Sequence, residues 1–337
     1  MSEERFLVTG ALGCIGAWTV ATLVRESRPV VAFDLGAGRR RLEALLTPDE
    51  MDAVTFVAGD ITDLASLERT FDDHDVTNVI HLAALQVPFC RADPPLGALV
   101  NEVGTVNLFE AVKRRGDRMA PLAYTSSVGM YAGADANPAT GRLEEDAEAH
   151  PTSHYGVYKL ANEGTARVYW SESGVASVGL RPLTVYGAGR DQGMTSGPTV
   201  AIAAAILGLP YTIGFGGRTS VQYAEDVARS LILASRSRLG GARMFNLDGE
   251  SVAMTDWVAA IDGEVPGAAG LIDIASTELP FPAVIEHAGI AALGDAPVTP
   301  FRTGIRATVE IYRRQAAEGR LNPADHGITV TSPAPSA

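Results

Sequence analysis

Three glycines in the run Gly10-Ala11-Leu12-Gly13-Cys14-Ile15-Gly16 separate the apolar stretch Phe6-Leu7-Val8 from a helix-patterned stretch, Ile15 to Arg25. A strand that turns through glycine into a helix sets the start of a βαβ unit. Residues without a side chain let the backbone turn tightly and approach a ligand, and the helix N-terminus offers free N–H groups and positive potential to a pyrophosphate. Glycine triplets also occur by chance, so the pattern around this one decides its meaning.

That pattern is regular through the first half of the chain. Strand-like runs recur at Val30-Val31-Ala32-Phe33, Val54-Thr55-Phe56-Val57, Val79-Ile80-His81-Leu82, Leu122-Ala123-Tyr124-Thr125 and Ala176-Ser177-Val178-Gly179-Leu180. Helical stretches fall between them at 62–71, 96–115 and 155–171. The alternation predicts an α/β fold, a Rossmann-like doubly wound parallel sheet with a smaller irregular C-terminal substrate lobe. After Arg181 the order breaks. Residues 187–217 are rich in Gly and Pro with one helix near Val200 to Leu207, and 266–300 are again irregular. A helix at 224–235, a strand at 244–246 and a helix opened by Thr299-Pro300 return to the regular pattern. The expected division is a dinucleotide domain at 1–186, completed by 221–250 and 299–318, a substrate lobe at 187–220 and 251–298, and a flexible tail at 322–337.

A formal charge of −13 argues against nucleic acid or an anionic membrane as the main partner and leaves a small molecule. The only cysteines, Cys14 and Cys90, lack metal or redox spacing, so no metal site is expected and a reducing cytoplasm is the natural setting. The chain opens without a secretory pattern, and no apolar run reaches membrane-spanning length.

Other strand ends support a cofactor crevice. The second strand closes on Asp34, whose carboxylate can accept from ribose hydroxyls and would repel a 2′-phosphate, favouring NAD over NADP. Arg39, Arg40 and Arg41, just downstream, read as solvated charges at a helix start. Asp60 and Ile61 end the third strand, where a carboxylate can meet the adenine amino group. Leu82, Ala83 and Ala84 end the fourth and suit a backbone pressed against the cofactor. His81, inside an apolar strand, reads as a satisfied core histidine.

Tyr155 and Lys159 stand four residues apart, on one face of a helix and about one ~5.4 Å turn from each other. A nearby cation favours phenolate, which fits Tyr155 to trade a proton. Tyr124-Thr125-Ser126-Ser127 supplies hydroxyls at a neighbouring strand end.

Taken in order, the glycine turn, Asp34, Asp60-Ile61, Leu82-Ala83-Ala84, Asn101, Thr125-Ser126-Ser127, Tyr155 to Lys159, Arg181-Pro182 and Thr299-Pro300-Phe301 resemble the extended short-chain dehydrogenase/reductase family, the NAD-dependent epimerase/dehydratase group. The resemblance implies Tyr155 as general acid/base and Ser127 as the hydroxyl orienting the reacting oxygen. Lys159 would hold the nicotinamide ribose and lower the Tyr155 pKa. It implies NAD held by Gly10, Gly13, Cys14, Ile15 and Gly16 in the turn, by Asp34, Asp60 and Ile61, by Leu82, Ala83 and Ala84, and by Asn101, Tyr155, Lys159 and Pro182. Gln86, Ser127, Gly129, Tyr155, Thr184, Arg190 and Arg218 are the substrate-facing candidates.

Departures from the family pattern bear on the substrate. Ser127 and Val128 hold positions where dehydratases carry an Asp-Glu pair, which disfavours dehydration. Thr184 replaces an asparagine, and Thr219 replaces an arginine, with Arg218 one residue out of register. Both changes loosen the usual grip on a nucleotide-sugar diphosphate, unless Arg190 or Arg218 substitutes. The expected function is an NAD-dependent oxidoreductase acting at a hydroxyl-bearing carbon of a sugar, sugar acid or polyol. A nucleotide-sugar epimerase that keeps its NAD is the alternative, and a catalytically silent NAD-binding regulator is a third possibility. The family also implies a homodimer through the helices at 96–115 and 155–171.

Overall fold

The computed structural model describes residues 4–136 and 138–329. In chain order the first elements are β1 (Phe6–Thr9), α1 (Cys14–Arg25), β2 (Val30–Asp34), α2 (Arg40–Leu45), α3 (Pro48–Asp52), β3 (Val54–Ala58), α4 (Leu64–Asp73) and β4 (Asn78–His81). Then come α5 (Val87–Ala92), α6 (Pro94–Ala98), α7 (Gly104–Lys113), β5 (Leu122–Thr125), α8 (His154–Ser173) and β6 (Ser177–Arg181). The second half holds β7 (Thr184–Tyr186), α9 (Gly197–Leu207), β8 (Tyr211–Ile213), β9 (Arg218–Tyr223), α10 (Ala224–Arg236) and β10 (Ala242–Asn246). It ends with β11 (Glu250–Ala253), α11 (Met254–Glu264), β12 (Ile272–Ile274) and α12 (Phe301–Ala317).

Seven strands form one parallel sheet in the order β10-β6-β5-β4-β1-β2-β3, the doubly wound arrangement expected. Alternation along each strand feeds two cores. Phe6, Val8, Val30, Ala32, Ile80 and Ala123 face the layer that includes α1 and α10. Leu7, Val31, Phe33, Val79, Leu122 and Tyr124 face the layer of α4, α7 and α8. Burial on both faces explains why these strands read as unbroken apolar runs. The chain leaves β1 toward β2 and β3, then returns to place β4 on the other side of β1. The switch point therefore lies between the C-terminal ends of β1 and β4, where open sheets of this kind bind ligands.

The single helix expected over 96–115 is broken by a π turn, Leu99–Val103, between α6 and α7. π turns cluster at functional sites, and this one carries the buried Asn101. Two small sheets, β11-β9-β7 and β12-β8, and helix α11 occupy stretches whose strands the sequence left largely unmarked.

The expected flexible tail needs correction up to residue 329. Burial of Leu321, His326 and Ile328, the edge contact of the His326 ring with Tyr312 at 5.2 Å, and the Arg40 Nη2 bond to the Asp325 carbonyl at 3.3 Å dock this segment on the body. The rest of that expectation, 330–337, lies outside the described residues.

Candidate active site

A cleft of about 690 Å³ opens at the switch point. Its floor is the glycine turn. Gly10 has φ +67, and a Cβ there would stand 2.6 Å from the Ala83 amide nitrogen; a Cβ on Gly16 would collide with the Gly10 carbonyl. Only bare backbone lets β1 and β4 meet this closely. Behind the turn, the Thr9 hydroxyl accepts from the Leu82 and Ala83 N–H groups at 3.3 and 3.4 Å and bonds His81 Nδ1 at 2.7 Å. His81 Nε2 reaches the Thr105 hydroxyl at 3.0 Å. Burial, aided by the charge of Lys159, pushes His81 down to about 3, so it is a neutral core latch.

Asp34 closes β2 with its carboxylate accepting from the Leu12 N–H at 3.0 Å and the Gly36 N–H at 3.1 Å. A carboxylate has about four acceptor sites, so capacity for two ribose hydroxyls remains. Gly13, Cys14, Ile15, Ile61, Leu82, Ala83, Ala84 and Pro182 line the same cleft. Burial raises the Cys14 thiol to about 11, which keeps it protonated. A helix N-terminus stripped of side chains and a fixed carboxylate one strand away fit a dinucleotide.

Asp60 lies between Gly59 and Ile61, which line the cleft, and its Oδ1 accepts from the Thr62 N–H at 2.8 Å. One expected contact with the cleft is corrected. Asn101 is buried outside it, with Oδ1 accepting from Leu85 N–H at 2.7 Å and Nδ2 donating to the Leu85 carbonyl at 2.9 Å. Its own carbonyl accepts from Asn162 Nδ2 at 2.9 Å. Asn101 thus brackets the segment after β4 to α8 rather than touching a ligand.

The chemical end is built by β5 and α8. Ser127 follows β5 in extended backbone and its hydroxyl accepts from the Gly129 N–H at 2.9 Å. Ser153 caps α8 by accepting from the Gly156 N–H at 3.1 Å, which places Tyr155 in the first turn and Lys159 in the second. Lys159 is buried, donates to the Thr125 carbonyl at 2.8 Å, and sits over the Tyr155 ring at 5.6 Å. Burial lowers its pKa to about 8. Burial also raises the Tyr155 phenol, opposed by its bond to Ser127 and by the charge of Arg190. The Lys159 ammonium thus lies between the Tyr155 ring and the Thr125 carbonyl, and Arg190 adds a second positive charge that favours the phenolate.

One turn beyond Lys159, buried Glu163 accepts from the Ser126 hydroxyl at 2.5 Å and from Arg181 Nε and Nη2 at 2.9 and 2.7 Å. Arg181 Nη1 also donates to the Glu145 carbonyl at 2.9 Å. This paired, fully bonded charge fixes β5, β6 and α8 in one register.

Among the substrate-facing candidates, Gln86, Ser127, Gly129, Tyr155 and Arg190 line the cleft. Thr184 and Arg218 do not. Thr184 is buried and bonds the Thr219 hydroxyl at 2.9 Å, because pairing of β7 with β9 turns both side chains inward. Arg218 is exposed and donates to the Ser251 carbonyl at 2.6 Å.

Arg40 and Arg41 also differ from expectation. Neither is a loose charge: Arg40 meets Asp191 at 2.7 Å, and Arg41 meets it through Nη2 at 2.6 Å and Nε at 3.2 Å. Arg41 further donates to the Gly189 and Leu12 carbonyls at 3.0 and 2.9 Å, clamping the loop after β7 onto the glycine turn. Sequence reasoning missed this clamp. The one available signal was an aspartate beside Arg190 in a glycine-rich loop.

Fold and cleft together define a short-chain dehydrogenase/reductase of the extended type. The model of the NAD dependent epimerase/dehydratase family matches residues 6–247, and the chain belongs to that family. The UDP-glucose 4-epimerase of Mycolicibacterium smegmatis is 30% identical over 324 residues, covering 93% of this chain and 99% of that protein. The crystal structure of the Thermus thermophilus UDP-glucose 4-epimerase in complex with NAD aligns with a TM-score of 0.77 at 29% identity, covering 92% of this chain and 99% of its own. MoeE5 in complex with UDP-glucose and NAD aligns with a TM-score of 0.76 at 28% identity, covering 93% and 99%. The chain is an NAD-dependent enzyme of the oxidoreductase and isomerase kind.

Proposed function

We propose that the enzyme moves hydride between NAD and a hydroxyl-bearing carbon of a sugar, sugar acid or related polyol, with Tyr155 as acid/base. The observation that carries this reading is the opening of Ser127, Tyr155 and Lys159 into the cleft floored by the glycine turn. NAD, when bound, supplies the two-electron chemistry by accepting the C–H hydride as the alcohol becomes a carbonyl. The chain's task is the proton. Ser127 holds the substrate hydroxyl, and Tyr155, in the phenolate form that the nearby Lys159 and Arg190 charges favour, receives its proton, so that no full charge develops on the reacting oxygen. Lys159, desolvated and anchored on Thr125, stands ready to meet the ribose. Asp34 favours NAD over NADP by repelling a 2′-phosphate.

Segments 187–220 and 251–298 form the substrate lobe in this reading; Arg190, Met194, Thr195, Pro280 and Phe281 reach the cleft from them. A second reading, epimerisation of a nucleotide sugar with NAD retained, is favoured by the names of the relatives that span nearly the whole chain. Thr184 and Arg218 lying outside the cleft weigh against it.

The setting proposed is cytoplasmic. Cys14 and Cys90 are free thiols, and among the described residues no helix is long and apolar enough to cross a membrane. A homodimer is proposed through exposed Leu96, Leu99 and Val103 on one helix face and Val157 and Val168 on α8. Sedimentation equilibrium giving only monomer would end that assignment.

The functional test incubates purified protein with NAD and separate panels of free sugars, sugar acids, polyols and UDP- or GDP-sugars. Nicotinamide absorbance and product stereochemistry are followed together. Net NADH with a free sugar, sugar acid or polyol supports the first reading. Inversion of a nucleotide sugar without net NADH establishes the second, and silence across every panel defeats both.

A further inference from the structure

We propose that Arg190 and Gln86 form a carboxylate-binding subsite, so that the compound oxidised at Tyr155 is a hydroxy acid; this names the substrate class of the hydride-transfer reading above and rests on it. Arg190 lies in a loop held from several sides. Trp18 Nε1 donates to the Ala188 carbonyl at 3.0 Å, the Gly189 N–H donates to the Tyr312 hydroxyl at 3.2 Å, and Asp191 is clamped by Arg40 and Arg41. The guanidinium therefore projects into the cleft from an ordered base.

Its charge has no counterpart. The hydrogen-bond partner of Arg190 among the described residues is the neutral Thr195 hydroxyl, 3.2 Å from Nη2, and its Nε–H is buried without an acceptor. Arg41 and Arg181 by contrast each have a carboxylate partner, Arg41 in the Asp191 it shares with Arg40 and Arg181 in Glu163. Leaving a partly desolvated cation unpaired is costly, and an incoming anion removes that cost.

Gln86 adds an amide. It lines the cleft with Oε1 turned toward Gly193, and rotation of the amide presents Nε2 as a second donor. Both groups converge on Gly193, which has φ +99: a Cβ there would lie 3.2 Å from Arg190 Nη2 and would strike Gln86 Oε1. Glycine at this point lets the loop close over the two side chains. A guanidinium fork beside an amide matches the planar, two-oxygen face of a carboxylate.

Of the other cations lining the cleft, Arg41 shares Asp191 with Arg40, Lys159 is anchored on the Thr125 carbonyl and in this reading meets the cofactor ribose, and Arg91 is exposed. Arg190 is the cleft cation with neither a protein carboxylate beside it nor a task toward the cofactor. Arg190 lines the same cleft as Ser127 and Tyr155, so one molecule can meet all three.

The test uses the full chain. The enzyme–NADH complex is titrated calorimetrically with four- to six-carbon aldonates and uronates, their methyl esters, and neutral sugars and alditols of the same length. Turnover with NAD is measured on the same compounds and on UDP-sugars. An acid is expected to bind, and to be turned over with at least tenfold higher kcat/KM than its ester. Arg190→Met should lower kcat/KM for the acid roughly 10- to 100-fold, as for a lost charged hydrogen bond, with the Kd for NADH unchanged. Gln86→Leu should give a smaller loss, Arg190→Lys a partial recovery, and Arg218→Ala, outside the cleft, no change. Turnover of a neutral or nucleotide sugar with no preference for acids leaves hydride transfer standing and overturns the subsite. With no turnover of any compound the hydride-transfer reading falls, and the titration then decides alone: acid binding abolished in Arg190→Met still supports the subsite, and absence of acid binding overturns it.

Discussion

The clamp between Arg41 and Asp191 ties the stability of the fold to the shape of the cofactor turn, and replacing either residue separates the two effects. The Asp191 side chain is 1% exposed, and Arg41→Leu leaves it with Arg40 alone. Asp191→Leu leaves Arg41, 18% exposed, with only the neutral Leu12 and Gly189 carbonyls. Breaking one side of a buried pair costs ~3–5 kcal/mol, and the partners that remain hold each single variant near the lower value. For a chain of this length 3 kcal/mol corresponds to a Tm lower by about 4 °C. The double variant Arg41→Leu/Asp191→Leu removes both charges, so its loss should fall short of the summed singles by about 2 kcal/mol or more. Arg41→Leu also frees the Leu12 carbonyl in the glycine turn and should weaken NAD binding about tenfold, whereas Glu225→Gln on α10, outside the cleft, should not. Thermal unfolding followed by circular dichroism, paired with NAD titration, measures both. Additivity of the singles to within about 0.5 kcal/mol would refute the coupling.

Other consequences can be checked as directly. Gly10→Ala forces a side chain into a left-handed backbone and against Ala83, which should cost about 1–2 kcal/mol and reduce NAD affinity at least tenfold; calorimetric affinity within twofold of wild type would contradict the close approach. His81 is held neutral with its pKa pushed down to about 3, below the unfolded value near 6.5. The unfolded chain therefore takes up a proton first as pH falls, and stability is lost from pH 6.5 downward, by about 2 kcal/mol at pH 5. Urea unfolding of His81→Gln should show a pH 7 to 5 decline smaller by that amount, and an unchanged decline would sink the latch.

The sequence revealed elements whose physics is local. The strands β1, β2, β4 and β6 are buried on both faces and read as apolar runs, and the glycine turn and the Tyr155–Lys159 spacing each sit within one short segment. What stayed hidden depends on contacts far apart in the chain. Arg41 and Asp191 are 150 positions apart, and nothing beside Arg41 distinguishes a clamp from a solvated charge. Thr184 looks like a pocket residue until β7 pairs with β9 and buries it. Strands as short and polar as Thr184–Tyr186 carry too few alternations to register, so the small sheet read as irregular loop. The π turn at Leu99–Val103 is equally invisible; its Asn101 bonds both backbone groups of Leu85, a contact with no local pattern. Docking of the segment up to residue 329 rests on His326 packing on Tyr312, a contact with no local pattern.

The most direct test of the central claim compares Tyr155→Phe with wild type for NAD dissociation constant and turnover of the best substrate found. Acid/base chemistry at the phenol predicts turnover lower by roughly 10²- to 10⁴-fold with NAD affinity within about threefold of wild type. A Phe variant that keeps turnover within tenfold would remove the Tyr155 oxygen from the reaction and contradict the account.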